Sequence, residues 1–233
     1  MRVGGADGCK AGWISLARDL DTGAIEARCF ASAGDLLQQE PIPAVICVDI
    51  PIGLTEAGPR ACDVAARTIL GRPRASSVFP APIRPVLAAR SWEEACTIRE
   101  RIEGKRMSKQ AWGIVDKVRD IDRKLRSRPE LADRVHEVHP EVSFAAWAGK
   151  VMLHPKRSRD GNAERRQRIT NYFGPDAFGR VREQFPVKRV GHDDIADAFA
   201  VLWTAERVAR GNARTLPATP PLDPHGLRME IVY

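Results

Sequence analysis

The apolar and polar positions near the N-terminus alternate as they do in an antiparallel sheet. Residues 2–7, 13–17 and 24–30 have strand-like patterns, and Asp21-Thr22-Gly23 is typical of a hairpin turn between the last two. Residues 44–49 form a nearly continuous apolar run, which is typical of a strand that is buried on both faces and parallel to its neighbours. These patterns predict a three-stranded meander followed by a buried parallel strand.

The remainder of the chain has mainly helical spacing, and the clearest helix runs from about Asp193 to Arg210. Other helices are expected at 33–40, 60–70, 92–101, 109–126, from Pro140 onward and at 160–183, with further strands at 135–138 and 228–233. No linker-like composition separates two apolar patterns. We therefore expect an α/β fold in one domain over residues 1–233, in which a mixed sheet is flanked by helices and residues 55–130 form a mainly helical insertion.

The composition is that of an ordinary globular protein, with 43% hydrophobic and 29% charged residues. No apolar run is long enough to span a bilayer, and the first residues lack the apolar core of a signal peptide. The five cysteines are irregularly spaced and form no zinc-binding pattern, which favours reduced thiols in a cytoplasmic protein.

The net charge of +7 is concentrated in two basic segments, residues 117–128 and 156–168. A basic face attracts polyanions such as nucleic acid, because binding neutralises phosphates and releases counterions. Acidic residues are interleaved in both segments, so the same pattern also fits solvated helix faces with internal ion pairs. Charge alone leaves both interpretations open.

Four aspartates stand where a carboxylate needs a partner. Asp7 and Asp49 end apolar strands, and Asp194 and Asp197 share a face at the start of the last helix. Buried carboxylates are costly unless they are paired or bind a metal, so their convergence would indicate a site for Mg²⁺ or Mn²⁺. Asp7 and Asp49 also have a purely structural interpretation as turn residues, and Asp193 or Asp194 as a helix cap. Asp197 is harder to explain in this way, because it stands among apolar helix residues.

Seven motifs in order along the chain resemble one domain-of-unknown-function family, number 429. They are GADGCKAGW at 4–12, VDIPIGL at 48–54, RACDVAAR at 60–67, SSVFPAP at 76–82, SKQAW at 108–112, EVHPEVSF at 137–144 and HDDIADAFA at 192–200. Members of this family are described as predicted nucleases with an RNase H fold. The resemblance therefore implies an RNase H-like five-stranded sheet and metal-dependent cleavage of phosphodiester bonds.

Residues 194–200 also resemble the closing helix of RuvC-type Holliday junction resolvases, which carries an Asp-x-x-Asp-Ala pattern. By this resemblance Asp7 corresponds to the first-strand aspartate and Asp49 to the fourth-strand acid. Asp194 and Asp197 correspond to the helix pair. The chain departs from that pattern by having Asp instead of Glu at the fourth strand. It also carries an insertion after that strand, which could cover the groove for a large duplex.

Six further residues are candidates for supporting roles. Glu141 is either a further catalytic acid or an acid that complements a helix N-terminus. His139 and His192 are either proton shuttles or partners in structural hydrogen bonds. Lys105, Lys109 and Gln110 either contact a substrate phosphate or face solvent.

These observations favour a Mg²⁺- or Mn²⁺-dependent nuclease acting on DNA or RNA, with an acidic two-metal site. A second hypothesis is a nucleotide-binding ATPase or kinase-like protein, because residues 7–12 resemble the opening Asp-x-Gly loop of the actin-like branch. A third is a non-catalytic module that binds nucleic acid. Retaining four mutually repelling acids would be unnecessary for binding alone.

Overall fold

The computed structural model describes residues 1–233 without a gap. Its main sheet has five strands in the order β3-β2-β1-β4-β5. The strands are β1 (Arg2–Cys9), β2 (Gly12–Asp19), β3 (Ile25–Phe30), β4 (Val45–Val48) and β5 (Val135–Glu137). Strands β1 to β3 form the antiparallel meander, and β4 lies parallel to both β1 and β5. The predicted mixed five-stranded sheet is confirmed.

Nine helices accompany the sheet. They are α1 (Ala33–Leu37), α2 (Ala61–Arg74), α3 (Trp92–Glu103), α4 (Lys109–Trp112), α5 (Val115–Ser127), α6 (Pro140–Ala148), α7 (Arg159–Phe173), α8 (Ala177–Gln184) and α9 (His192–Ala209). Short 3₁₀ turns occupy Ala75–Ser77, Arg84–Ala88 and Pro129–Leu131. A small second sheet pairs β6 (Thr215–Leu216) with β7 (Ile231–Val232). No helix is both long and apolar enough to cross a membrane.

The two faces of the main sheet bury different sets of side chains. Ile14, Leu16 and Cys47 pack in one apolar core with α9 and with the helices around it. Ile46 and Val48 pack in a second core with α1 and α5. Helices therefore cover both faces, as the apolar run of β4 predicts.

The expected helix over 109–126 is divided. Helix α4 begins after Ser108, whose hydroxyl accepts a hydrogen bond from the Ala111 N–H, and it ends at Trp112. Gly113 then interrupts the run, since glycine is a poor helix former, and α5 begins at Val115. The strand expected at 228–233 is also shorter, because only Ile231 and Val232 pair with β6.

Between β4 and β5 the chain forms only helices, from α2 to α5, together with the 3₁₀ turns. This agrees with the predicted helical insertion, whereas the treatment of residues 1–233 as one domain stays a prediction. All five cysteines are free, as expected from their spacing.

Helix α9 lies directly against the backbone of β1. A Cβ atom placed on Gly5 would come within 2.2 Å of the Leu202 backbone nitrogen, so only glycine permits this approach. From Leu202 back to Asp197 the helix advances about 7.5 Å, and from Gly5 to Asp7 the strand advances about 6.6 Å. The contact at Gly5 therefore sets Asp197 beside Asp7.

Candidate metal centre

Three aspartates from three different elements meet at one edge of the sheet. Asp7 lies near the end of β1, Asp49 directly follows β4, and Asp197 lies in the second turn of α9. One carboxylate oxygen from each lies within 4.8 Å of the other two. The edge is shared because β1 and β4 are parallel and in register, with the Asp49 N–H donating to the Ala6 carbonyl at 3.0 Å.

Burial and mutual repulsion make this cluster costly to charge. Asp7 is 7% exposed and Asp197 only 1%, while Asp49 is half-buried. Burial, followed by repulsion from Asp49 and Asp197, raises the pKa of Asp7 well above its ordinary value. Burial is also the largest cause that raises the pKa of Asp49, to about 6. Such perturbed acids in one place are typical of functional sites.

One cation already contacts the cluster. The Lys156 Nζ lies 2.5 Å from Asp197 Oδ2, and Lys156 belongs to the loop 149–158 between α6 and α7. Attraction to Asp197, and to a smaller extent to Asp7 and Asp49, raises the pKa of the Lys156 ammonium above its ordinary value. The Lys156 ammonium thus contacts one carboxylate of the cluster and attracts the other two.

The donor set fits a hard divalent cation. The second carboxylate oxygen of Asp197, Oδ1, is buried and has no hydrogen-bond partner. An unpaired buried carboxylate oxygen is costly, and a cation would satisfy it. Mg²⁺ usually takes one or two carboxylates and completes its shell with water and substrate phosphates, so three aspartates supply enough oxygen ligands.

A comparison with protein-family models supports the resemblance carried by the seven motifs. The sequence model of one family, described as a protein of unknown function (DUF429), matches residues 5–222. The chain belongs to the DUF429 family. No curated protein and no solved structure matches it.

In this DUF429 chain Asp194 lies outside the three-residue cluster. Its Oδ2 accepts a hydrogen bond from the Gly191 N–H at 2.7 Å and so caps α9. Burial is the largest cause that raises the pKa of Asp194, and repulsion from Asp193 and Asp197 adds to it. Asp193 instead faces the Arg157 guanidinium at 3.6 Å. Asp194 therefore fixes the first turn of the helix that carries Asp197.

Glu141 forms a buried ion pair. Its Oε1 lies 2.5 Å from Arg165 Nη2, and Arg165 is only 1% exposed. The same guanidinium donates to the carbonyls of His154 and Gly161. Glu141 thus ties α6 to α7 and to the loop that carries Lys156. The structure thus pairs Glu141 with Arg165, a contact that is not part of the interpretation of Glu141 as a catalytic acid.

The other supporting candidates are not brought into the cluster. Lys105, Lys109 and Gln110 are exposed, and the Lys109 ammonium lies 4.5 Å from the ring centre of Trp92. His192 stacks on the Phe178 ring at 6.3 Å between centroids. His139 Nε2 lies 3.3 Å from the Ser77 carbonyl, and attraction between His139 and Asp49 lowers the pKa of Asp49.

A buried arginine holds the backbone that follows β4. The Arg60 guanidinium bonds to both carboxylate oxygens of Glu137 and to the carbonyls of Ile52 and Gly53. The Ile52 N–H also donates to Glu137 Oε2 at 2.6 Å. This network fixes the segment directly after Asp49. The sequence does not show roles for Arg60 or Lys156; its only signals for them are the motif around Arg60 and the basic segment that begins at Lys156.

Proposed function

We propose that this DUF429 protein is a Mg²⁺- or Mn²⁺-dependent nuclease that hydrolyses phosphodiester bonds of DNA or RNA in the cytoplasm. The observation that carries the proposal is the convergence of Asp7, Asp49 and Asp197 from two parallel strand ends and one helix. Acidic groups converging in this way are what metal-assisted phosphoryl transfer needs.

The topology supports assignment to the RNase H-like superfamily. An antiparallel meander leads into two parallel strands, and the strand order is β3-β2-β1-β4-β5. The closing helix α9 lies across β1 and supplies the third acid. Fold alone does not fix a function, so the acids remain the main argument.

The residues of the site have distinct proposed roles. Asp7, Asp49 and Asp197 would hold the cation, and Asp194 would position Asp197 by capping α9. A bound divalent cation would supply charge that activates an attacking water and stabilises the departing oxygen. Asp49, whose pKa is about 6, would need to lose its proton before it holds a cation.

Positive charge around the cluster would attract a phosphate backbone. The alkyl chain of Lys117 lies over Gly8, since a Cβ placed there would be 3.0 Å from it. Lys156 contacts Asp197, and Arg157 is exposed beside Asp193. Such groups supply the sequence-independent part of nucleic-acid binding.

The proposal is tested by cleavage assays on single- and double-stranded DNA and RNA, with Mn²⁺ or with EDTA. We expect Mn²⁺-dependent cleavage that falls on the order of a thousandfold in Asp7→Asn and Asp197→Asn, because each removes a ligand charge. Asp133→Asn, a change at an exposed acid, is the matched control and should cleave normally.

Full activity of both site variants would refute this mechanism. Binding of nucleic acid without Mn²⁺ and without cleavage would favour the non-catalytic module. Calorimetric binding of Mg²⁺-ATP, without cleavage, would favour the actin-like alternative.

A further inference from the structure

Lys156 reaches the acidic cluster from outside the sheet. Its ammonium lies 2.5 Å from Asp197 Oδ2, while its side chain remains 39% exposed. It is therefore a long, flexible cation with one end in the cluster and one flank in solvent. The contact is the only hydrogen bond that the Lys156 side chain makes.

The backbone that carries Lys156 is anchored independently of that contact. The N–H groups of Leu153 and His154 donate to the Glu164 carboxylate at 3.3 and 3.4 Å. The Ser158 hydroxyl donates to the Pro155 carbonyl at 2.8 Å. The Arg165 guanidinium binds the His154 carbonyl as well. The side chain can therefore leave the cluster without any of these backbone contacts breaking.

The ammonium and a divalent cation would compete for the same oxygens. Asp197 has one oxygen on Lys156 and the other buried without a partner, and the oxygens of Asp7 and Asp49 lie within 4.8 Å. A divalent cation held by these oxygens would lie close to the ammonium. The two cations would repel each other strongly, because the site is largely removed from water. Without a cation, however, three buried acids would repel one another, and the ammonium reduces that repulsion.

We propose that the Lys156 ammonium is the built-in counter-ion of the acidic cluster, and that a divalent cation binds by displacing it. Lys156 therefore sets the metal affinity of the site. The ammonium reduces the repulsion among the three aspartates when divalent cations are scarce. When divalent cations are present, it weakens their binding. This inference rests on the proposed metal site.

The first test is calorimetric titration of EDTA-stripped full-length protein with Mn²⁺ alone. We expect Lys156→Met to bind Mn²⁺ on the order of tenfold more tightly than wild type, because a competing like charge is removed. Lys150→Met removes the same charge from an exposed position of the same loop, and its affinity should be unchanged. Lys156→Arg, which keeps the charge, should bind no more tightly than wild type.

A second measurement uses the wild type and avoids any folding defect of a variant. Amine acetylation followed by mass spectrometry reports how accessible each lysine is. We expect Mn²⁺ to raise the labelling rate of Lys156 several-fold and to leave that of Lys150 unchanged.

The outcomes separate this inference from the proposed function. Equal or weaker Mn²⁺ binding by Lys156→Met, or labelling of Lys156 that does not rise, would overturn the counter-ion role alone. Absence of Mn²⁺ binding in both wild type and Lys156→Met would overturn the metal site and this inference with it. Binding by Lys156→Met alone would support the inference in its strongest form.

Discussion

The substitution Asp7→Asn should make the protein more stable without metal while weakening its response to metal. Asparagine keeps the shape of the side chain and the Oδ1 atom that accepts a hydrogen bond from the Gly8 N–H at 2.7 Å. The change therefore removes one charge from the cluster with little change in packing. Its effect on the free energy of unfolding isolates the electrostatic cost of the site.

The magnitude follows from the spacing of the charges. At 4.8 Å, the upper limit of the separation between the carboxylate oxygens, and an effective dielectric constant of about 20, one pair of like charges costs about 3.5 kcal/mol. Asp7 has two such repulsions, from Asp49 and Asp197, and a smaller opposing attraction to Lys156. Burial adds to the cost of the charged carboxylate, whereas proton uptake by Asp7 reduces that cost because the pKa of Asp7 is raised. We expect Asp7→Asn to gain about 1–3 kcal/mol near pH 8.

Urea unfolding in EDTA and in Mn²⁺ measures both effects. Wild type should gain stability on adding Mn²⁺, because a ligand that binds only the folded state stabilises it. Asp7→Asn should start higher in EDTA and gain much less. Asp133→Asn should follow wild type in both solutions. A loss of stability of Asp7→Asn in EDTA, or an undiminished Mn²⁺ response, would refute the reasoning.

Three further outcomes are expected. In EDTA the urea midpoint of wild type should fall as the pH rises from about 4 to about 6, because the pKa of Asp49 is about 6 in the folded protein and near 3.9 in the unfolded chain. Asp49→Asn should flatten this dependence on pH, and an unchanged dependence in the variant would contradict the prediction. Gly5→Ala should cost about 2–4 kcal/mol in urea unfolding because its Cβ meets the α9 backbone at 2.2 Å, whereas Gly4→Ala, with its nearest contact at 3.4 Å, is the tolerated control. Glu141→Gln should lower the unfolding free energy by about 3 kcal/mol because it leaves the buried Arg165 without its counter-charge, and unchanged stability with lost cleavage would instead indicate a catalytic acid.

The sequence predicts those parts of the site that depend on local pattern. Asp7 and Asp49 are recognisable because each ends an apolar strand, and two parallel strands bring their ends to one edge. Asp197 is recognisable because a carboxylate among apolar helix residues needs a partner. The resemblance to family 429 adds the order of the motifs to this pattern and is confirmed by the family match.

Contacts between distant segments are what the sequence does not reveal. The pairing of Glu141 with Arg165 depends on how α6 packs against α7, and the contact of Lys156 with Asp197 depends on how loop 149–158 reaches α9. The periodicity of one segment does not encode which distant segment it contacts. The sequence leaves Asp194 as either a metal ligand or a helix cap, and the hydrogen bond from the Gly191 N–H shows the capping contact.

The position of α9 in the chain has a consequence for synthesis. Two acids of the cluster are made within the first 49 residues, but the third arrives only with the last long helix. Until α9 has left the ribosome, the face of β1 and β2 that it covers also lacks its apolar partner, although all five strands of the main sheet precede α9 in the chain. A nascent chain therefore carries no assembled acidic centre until α9 has been made and has packed against β1.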